Sequence, residues 1–258
     1  MLENAKRGRQ TTVELFCGIG GFRIACDDLG IETLWANDLD GLACEVYEGA
    51  FGSAEIIRGD IRQLGHSIPT HDLLTAGFPC QPFSSAGKKQ GVRDPRGSLF
   101  EEIVTIVDRL QPESFVLENV KRLLTMESGD HFATVLLALS TLGYQLEWRL
   151  LNAVDFGLPQ NRERVVIIGQ RRDLSQGITA TLASLEDLEM IRLHNIDALR
   201  EHEKWPLLSQ HRRKFPSWGL CIGERFYACD LQSFSQGIEP RFLLSLLEAE
   251  LDEPFLHG

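Results

Sequence analysis

A chain of 258 residues, 43% of them hydrophobic, is long enough for one sizeable core with a smaller lobe at most beside it. No apolar run approaches the roughly 20 residues that span a bilayer, and the opening MLENAKRGRQTT lacks an apolar secretory segment, so a soluble cytoplasmic protein without a membrane partner is expected. A formal net charge of -11 argues against a uniformly basic nucleic-acid surface, yet one basic cleft on an acidic body would suffice for phosphate binding.

The first half alternates short apolar runs with helical patterns, as a mostly parallel sheet with crossover helices requires. TTVELFC reads as a strand, and GIGGFRIACDDLG as a glycine turn entering a helix. ETLWAND is a second strand, LDGLACEVYEGAF a second helix, and HDLLTAG a strand ending just before Phe78-Pro79-Cys80. SLFEEIVTIVDRL is an amphipathic helix, SFVLENV a strand, HFATVLLALSTLG a helix and VVIIG a strongly apolar strand. The residues that carry chemistry cluster at strand ends, where open α/β sheets bind ligands.

Glu14-Leu15-Phe16-Cys17-Gly18-Ile19-Gly20-Gly21-Phe22 puts glycines just after a strand, where backbone must approach a ligand closely. An ordinary tight strand-to-helix turn is the plain alternative. Asp38, at the end of the next strand, is placed to accept hydrogen bonds from ribose hydroxyls, and Asp60 in RGDI to read an adenine amino group. Either Asp alone is equally a helix cap or turn residue. In this order, the three features fit an adenosyl cofactor.

Gly77-Phe78-Pro79-Cys80-Gln81-Pro82-Phe83-Ser84 holds a thiol between two prolines that stiffen the loop at a strand terminus. A free cysteine is ordinarily a small buried hydrophobe; these polar, proline-locked surroundings point to an exposed nucleophile. Glu118, in Glu118-Asn119-Val120, emerges from a strand toward the same sheet edge and becomes a proton donor if burial raises its pKa, with a cap or salt bridge as the alternative. In Gln160-Asn161-Arg162-Glu163-Arg164, alternating arginines are expected on one side of a strand, to hold a carbonyl oxygen or phosphate. A solvated ion-pair cluster reads equally well. The six cysteines show no Cys-x-x-Cys pair and no His at zinc-ligand spacing, so neither disulfides nor a metal is expected.

Together, ELFCGIGGF, GFPCQPFS, LENV and QNRERV resemble, in order, the cofactor turn, nucleophile loop, acid motif and arginine motif of the cytosine-C5 DNA methyltransferases. GKKQGVRDPRGSLF is similar to the loop and helix that close over DNA in that family. The resemblance covers roughly residues 11–172. It implies an α/β, Rossmann-like S-adenosylmethionine-dependent methyltransferase fold: a mostly parallel sheet with helices on both faces and a small, partial C-terminal lobe. Residues 1–172 would be the catalytic and cofactor-binding domain, and residues 173–258 a linker and partial target-recognition region.

By the same resemblance, Cys80, Glu118, Arg162 and Arg164 would be catalytic. S-adenosyl-L-methionine would be held by Phe16, Gly18, Ile19, Gly20, Gly21 and Asp38, together with Leu39, Asp60, Ile61, Pro79 and Leu99. Ser84, Ser85, Lys88, Lys89, Gln90 and Arg96 would meet duplex DNA, with the target cytosine flipped out of the stack. Leu39 departs from relatives that place an adenine-stacking aromatic residue there. Beyond Arg172 the family's last two motifs have no convincing copy. A second polypeptide supplying them is therefore an expected partner, and a bacterial restriction-modification system the expected setting. HRRKFPSWG would open a recognition region or be a solvated charge cluster, and FLLSLLEAEL would pack on the chain's own core or form an interface. An RNA cytosine methyltransferase and a non-catalytic DNA-binding subunit are the alternative functions.

Overall fold

The computed structural model describes residues 9–79, 99–174, 218–222 and 225–229. The chain divides into two compact units, residues 1–119 and 120–258.

In the first unit, β1 (Thr11–Leu15), β2 (Glu32–Asp38), β3 (Ile56–Arg58), β4 (Leu73–Gly77) and β5 (Ser114–Val120) pair in the order β3-β2-β1-β4-β5, every pair parallel. The chain runs outward from β1 to β3 and then returns to add β4 and β5 on the other side, so the winding reverses at β1. Turns following β1 and β4 thus open the crevice in which such sheets bind ligands. Central position explains the composition of β1: Thr12, Val13, Glu14 and Leu15 are all buried, so neither face meets water.

The helices are α1 (Gly21–Asp28), α2 (Gly41–Phe51), the single turn α3 (Ile61–Leu64) and α4 (Leu99–Leu110). Asp40 caps α2 by accepting hydrogen bonds from the Leu42 and Ala43 amides at 2.8 and 3.3 Å. Cys44 and Tyr47, one turn apart on α2, bury against Cys17, Ala36 and Ile56. On α4, the buried Phe100, Ile103, Ile106 and Val107 recur at helical spacing and fix its inner face.

The second unit contains α5 (Asp130–Thr141), β6 (Tyr144–Asn152), β7 (Glu163–Arg171), β8 (Trp218–Ile222) and β9 (Arg225–Cys229). Its strands run β7-β6-β8-β9, all antiparallel. Phe132, Val135, Leu136 and Leu139 form a fully buried stripe along α5, and Phe132 meets the Trp148 ring edge-on at 5.4 Å.

Strands β3, β6, β8 and β9 escape the pattern of short apolar runs. Three residues are too few for β3 to show a period, while YQLEWRLLN interleaves Gln145, Glu147 and Arg149 among the apolar residues of β6. Within it, Tyr144 to Arg149 are buried on both faces. β1 stops at Leu15, before the expected Cys17, because Phe16 turns to a φ of 53°. Trp218 and Gly219 of HRRKFPSWG begin β8; the rest of that segment and all of FLLSLLEAEL lie outside the described residues. Among the described residues no helix is long and apolar enough to cross a membrane.

Candidate active site

The glycine-rich turn after β1 is built from left-handed backbone: Phe16, Gly18 and Gly20 have φ of 53°, 55° and 91°. At Gly20 both conformation and space demand glycine, since a β-carbon there would stand 2.3 Å from Phe51 Cε2 and 3.1 Å from Tyr47 Cδ2. The Cys17 amide donates to the Asn37 carbonyl at 3.0 Å, and the Gly20 amide to the Cys17 carbonyl at 2.9 Å. The Gly18 amide donates to Asp38 Oδ2 at 2.8 Å, and Asp38 Oδ1 accepts the Asp40 amide at 2.9 Å. One carboxylate therefore holds both the turn after β1 and the turn after β2.

Beneath this turn Glu14 is only 1% exposed, and the Tyr47 hydroxyl donates to its Oε2 at 3.3 Å. Burial outweighs that bond and pushes the Glu14 carboxyl up to about 7. The thiols of Cys17, Cys26 and Cys44 are likewise raised by burial, and that of Cys221 is raised to about 12. Since the thiolate is the attacking species, these four buried cysteines are unsuited to nucleophilic chemistry.

Asp60 caps α3, its Oδ1 accepting the Arg62 amide at 3.0 Å. The Arg62 Nε also donates to both carboxylate oxygens, at 2.9 and 3.0 Å, which holds the Asp60 carboxyl below the usual range. So Asp38 and Asp60 are the turn and cap residues that each suggested alone, and both also line a cavity of about 650 Å³. Phe16, Leu39, Ile61, Pro79 and Leu99 line it too, beside Asn37, Asp40, Gly59, Arg62 and Gly77. Carboxylates with apolar walls in this volume fit an adenosyl group. Gly18, Ile19, Gly20 and Gly21 shape the turn and do not line the cavity; Ile19 is 64% exposed.

At the end of β4, Gly77 stands in register with Glu118 of β5. A β-carbon on residue 77 would come within 3.5 Å of Glu118 Oε2 and 3.9 Å of the Phe16 carbonyl. The Glu118 carboxylate therefore sits over a glycine that lines the cavity. Asn119, 2% exposed, donates through Nδ2 to the Phe78 carbonyl at 2.9 Å, and the Phe78 ring packs on Phe100 at 5.6 Å. The chain leading to Pro79 is thus anchored twice. Cys80 lies outside the described residues, as do Ser84, Ser85, Lys88, Lys89, Gln90 and Arg96.

In the second unit β7 begins at Glu163, so Arg162 belongs to the preceding turn and only Arg164 to the strand. Asn152 Oδ1 accepts the Arg162 amide at 3.0 Å and holds this turn. Arg164 is half-buried, and its Nη1 donates to the Glu163 carbonyl at 2.9 Å. Glu163 is bridged by Lys121 Nζ at 2.7 Å. Among the described residues no cluster of three or more His, Cys, Asp or Glu is arranged to hold a metal.

Pocket residues Asn37, Asp40, Gly59 and Arg62 went unmarked in sequence, while Gly77 and the anchor Asn119 stood inside motifs without a role of their own. Asn37 and Asp40 flank Asp38, Gly59 and Arg62 flank Asp60-Ile61, and Asn119 follows Glu118, so adjacency to each motif was the available signal.

A parallel sheet whose winding reverses beside a glycine-rich turn and an acid-lined pocket is built to hold a nucleotide-like ligand; the fold is that of an S-adenosylmethionine-dependent methyltransferase, and S-adenosylmethionine is its cofactor. The chain belongs to the C-5 cytosine-specific DNA methylase family, whose model matches residues 10–217. It is 49% identical over 159 residues to the type II methyltransferase M.NgoBI of Neisseria gonorrhoeae, covering 61% of this chain and 50% of that protein. With M.HaeII of Haemophilus aegyptius it shares 42% identity over 181 residues, 70% of this chain and 56% of the relative. The chain thus spans about half the length of the curated relatives it matches. Among solved structures, a mutant of Spodoptera frugiperda DNMT2 superposes with a TM-score of 0.55 at 27% identity, over 67% of this chain and 53% of that one. S. pombe Dnmt2 does so with a TM-score of 0.52 at 22% identity, over 78% and 62% respectively, a likeness of fold.

Proposed function

We propose that the protein methylates C5 of a cytosine flipped out of duplex DNA, through a transient covalent bond from Cys80. The observation that carries this reading is the family match over residues 10–217, joined to a Glu118 carboxylate seated beside Gly77 at the wall of the adenosyl-sized pocket. Asp38 would hold the ribose, Asp60 and Ile61 the adenine edge, and Phe16, Leu39, Pro79 and Leu99 the apolar surfaces. The bound cofactor supplies an electrophilic methyl group.

C5 of cytosine is a weak nucleophile until a group adds at C6. Cys80 thiolate makes that bond, while Glu118 donates a proton or hydrogen bond to N3 and Arg164 contacts O2, so charge is dispersed as C5 becomes carbanion-like. Arg162 supports the arginine motif. After C5 takes the methyl group, its proton passes to solvent water, the electron pair left behind forms the C5–C6 double bond and Cys80 leaves C6 as thiolate, which restores the aromatic ring. Ser84, Ser85, Lys88, Lys89, Gln90 and Arg96 would contact the DNA, as the flipped base requires a loop to close behind it. We read this activity as part of a restriction-modification system, a reading that the type II designation of its relatives supports.

The test is transfer of labelled methyl from S-adenosylmethionine to duplex DNA, with RNA as a second acceptor and Cys80→Ser as the control. Transfer to DNA that falls by on the order of 10³-fold or more in the control supports the reading. Transfer that survives Cys80→Ser, or that goes to RNA alone, overturns it. Activity of the full chain with no other polypeptide present would remove the expectation of a second subunit.

A further inference from the structure

One pocket residue has no part in the chemistry proposed above, yet it joins three segments of the pocket. Asn37, the penultimate residue of β2, lines the cavity and is 1% exposed. Its backbone carbonyl accepts the Cys17 amide of the glycine-rich turn at 3.0 Å. Its Nδ2 donates to the Ile57 carbonyl at 2.7 Å and to the Gly59 carbonyl at 3.0 Å. The next carbonyl along, that of Asp38, accepts the Gly59 amide at 2.9 Å.

The turn held this way joins two short elements, and Arg62, bonded to the Asp60 carboxylate, holds its far side. β3 is an edge strand of three residues, and α3, which follows it, is a single turn. Between them Gly59 has a φ of 157°, and Asp60 and Ile61 follow directly. A primary amide carries two N–H protons, one for each of the two carbonyls. Asp offers none, Leu none, and Ser only one, so the side chain matches its task in both shape and donor count.

We propose that Asn37 is a positioning residue for adenine recognition: by fixing the Ile57 and Gly59 carbonyls it aims the Asp60 carboxylate and the Ile61 backbone at the amino edge of the base. The inference rests on the cofactor reading above. It predicts that Asn37 sets discrimination between adenine and a base lacking the 6-amino group, beyond any effect on affinity as such.

Calorimetric titration of the full chain with S-adenosylhomocysteine and with its deaminated counterpart, S-inosylhomocysteine, tests this. The unaltered protein is expected to prefer the adenosyl ligand by at least about tenfold, because the 6-oxo group opposes a carboxylate where the amino group would donate to it. In Asn37→Leu, which keeps the volume without the donors, the preference is expected to fall to within about threefold of unity. In Asn37→Ser, one hydroxyl donor should leave an intermediate preference. Equal weakening of both ligands with the preference intact, in either variant, would show a general structural role and overturn the proposal. If Asn37→Leu does not fold, Asn37→Ser carries the test alone. Failure of the unaltered protein to bind the adenosyl ligand is a separate outcome, which would overturn the cofactor reading and this inference with it.

Discussion

Both units bury polar side chains, and in the first, which also buries Thr12, Glu14 and Thr75 within its strands, two of them lie at strand ends. In the first, Asn37 and Asn119 sit at the ends of β2 and β5, and their amides take backbone carbonyls of neighbouring segments. In the second, Gln145, Glu147 and Arg149 are buried in the middle of β6, where the strand is hydrogen-bonded on both sides to β7 and β8. A buried polar group must find a partner wherever it lies. At a strand end that partner belongs to a turn, so the bond shapes a site; within a ladder it adds to a framework already regular. The exception in the second unit is Asn152, which ends β6 and holds the Arg162 turn.

If the second unit is chiefly a packed framework, its largest single dependence should be on Trp148, fully buried and edge-on to Phe132. Trp148→Ala is expected to cost about 3–5 kcal/mol in urea denaturation. A loss below about 1 kcal/mol would mean that the site collapses around the missing ring and would break the comparison.

A strand-end polar group should instead weigh on ligand binding. Asp38→Ala removes the acceptor for the Gly18 and Asp40 amides along with the proposed ribose contact. Affinity for S-adenosylhomocysteine should fall by roughly 10- to 100-fold, as for the loss of hydrogen bonds to a charged group, and urea stability should change less than in Trp148→Ala. Unchanged calorimetric affinity would remove Asp38 from the cofactor site.

The smallest effect sharpens the comparison within the first unit, because Glu14 is a buried acid in mid-sheet whose carboxyl is pushed up to about 7 from the 4.5 of an ordinary glutamate. The folded state therefore holds a proton that the unfolded chain releases between these values. Stability contributed by the neutral carboxyl is present at low pH and is lost as pH rises through that window, by at most a few kcal/mol. Glu14→Gln should flatten this slope and raise stability at pH 8. Parallel stability-pH curves for the two proteins would show that Glu14 does not titrate there.

The motifs were legible because their residues are contiguous: each strand end carries its chemistry within a few positions of the last apolar residue, as Asp38 ends β2 and Glu118 nears the end of β5. Leu39 and Leu99, marked only by resemblance, do line the cavity. Alternation in QNRER says nothing of where the ladder with β6 begins. That boundary is set by pairing of Glu163 with Asn152.

By itself, the sequence determined the alternation of β1, β2, β4 and β5 with α1, α2 and α4, the glycine turn, the acidic strand ends and the order of the four motifs. Those features rest on local periodicity and backbone preference, which a short window contains. Tertiary structure alone decided that Asn37 clamps Ile57 and Gly59, that Asn119 anchors Phe78, and that Glu118 comes to lie beside Gly77. Each depends on which strands lie side by side, and parallel pairing brings together residues separated by some 20 to 40 positions.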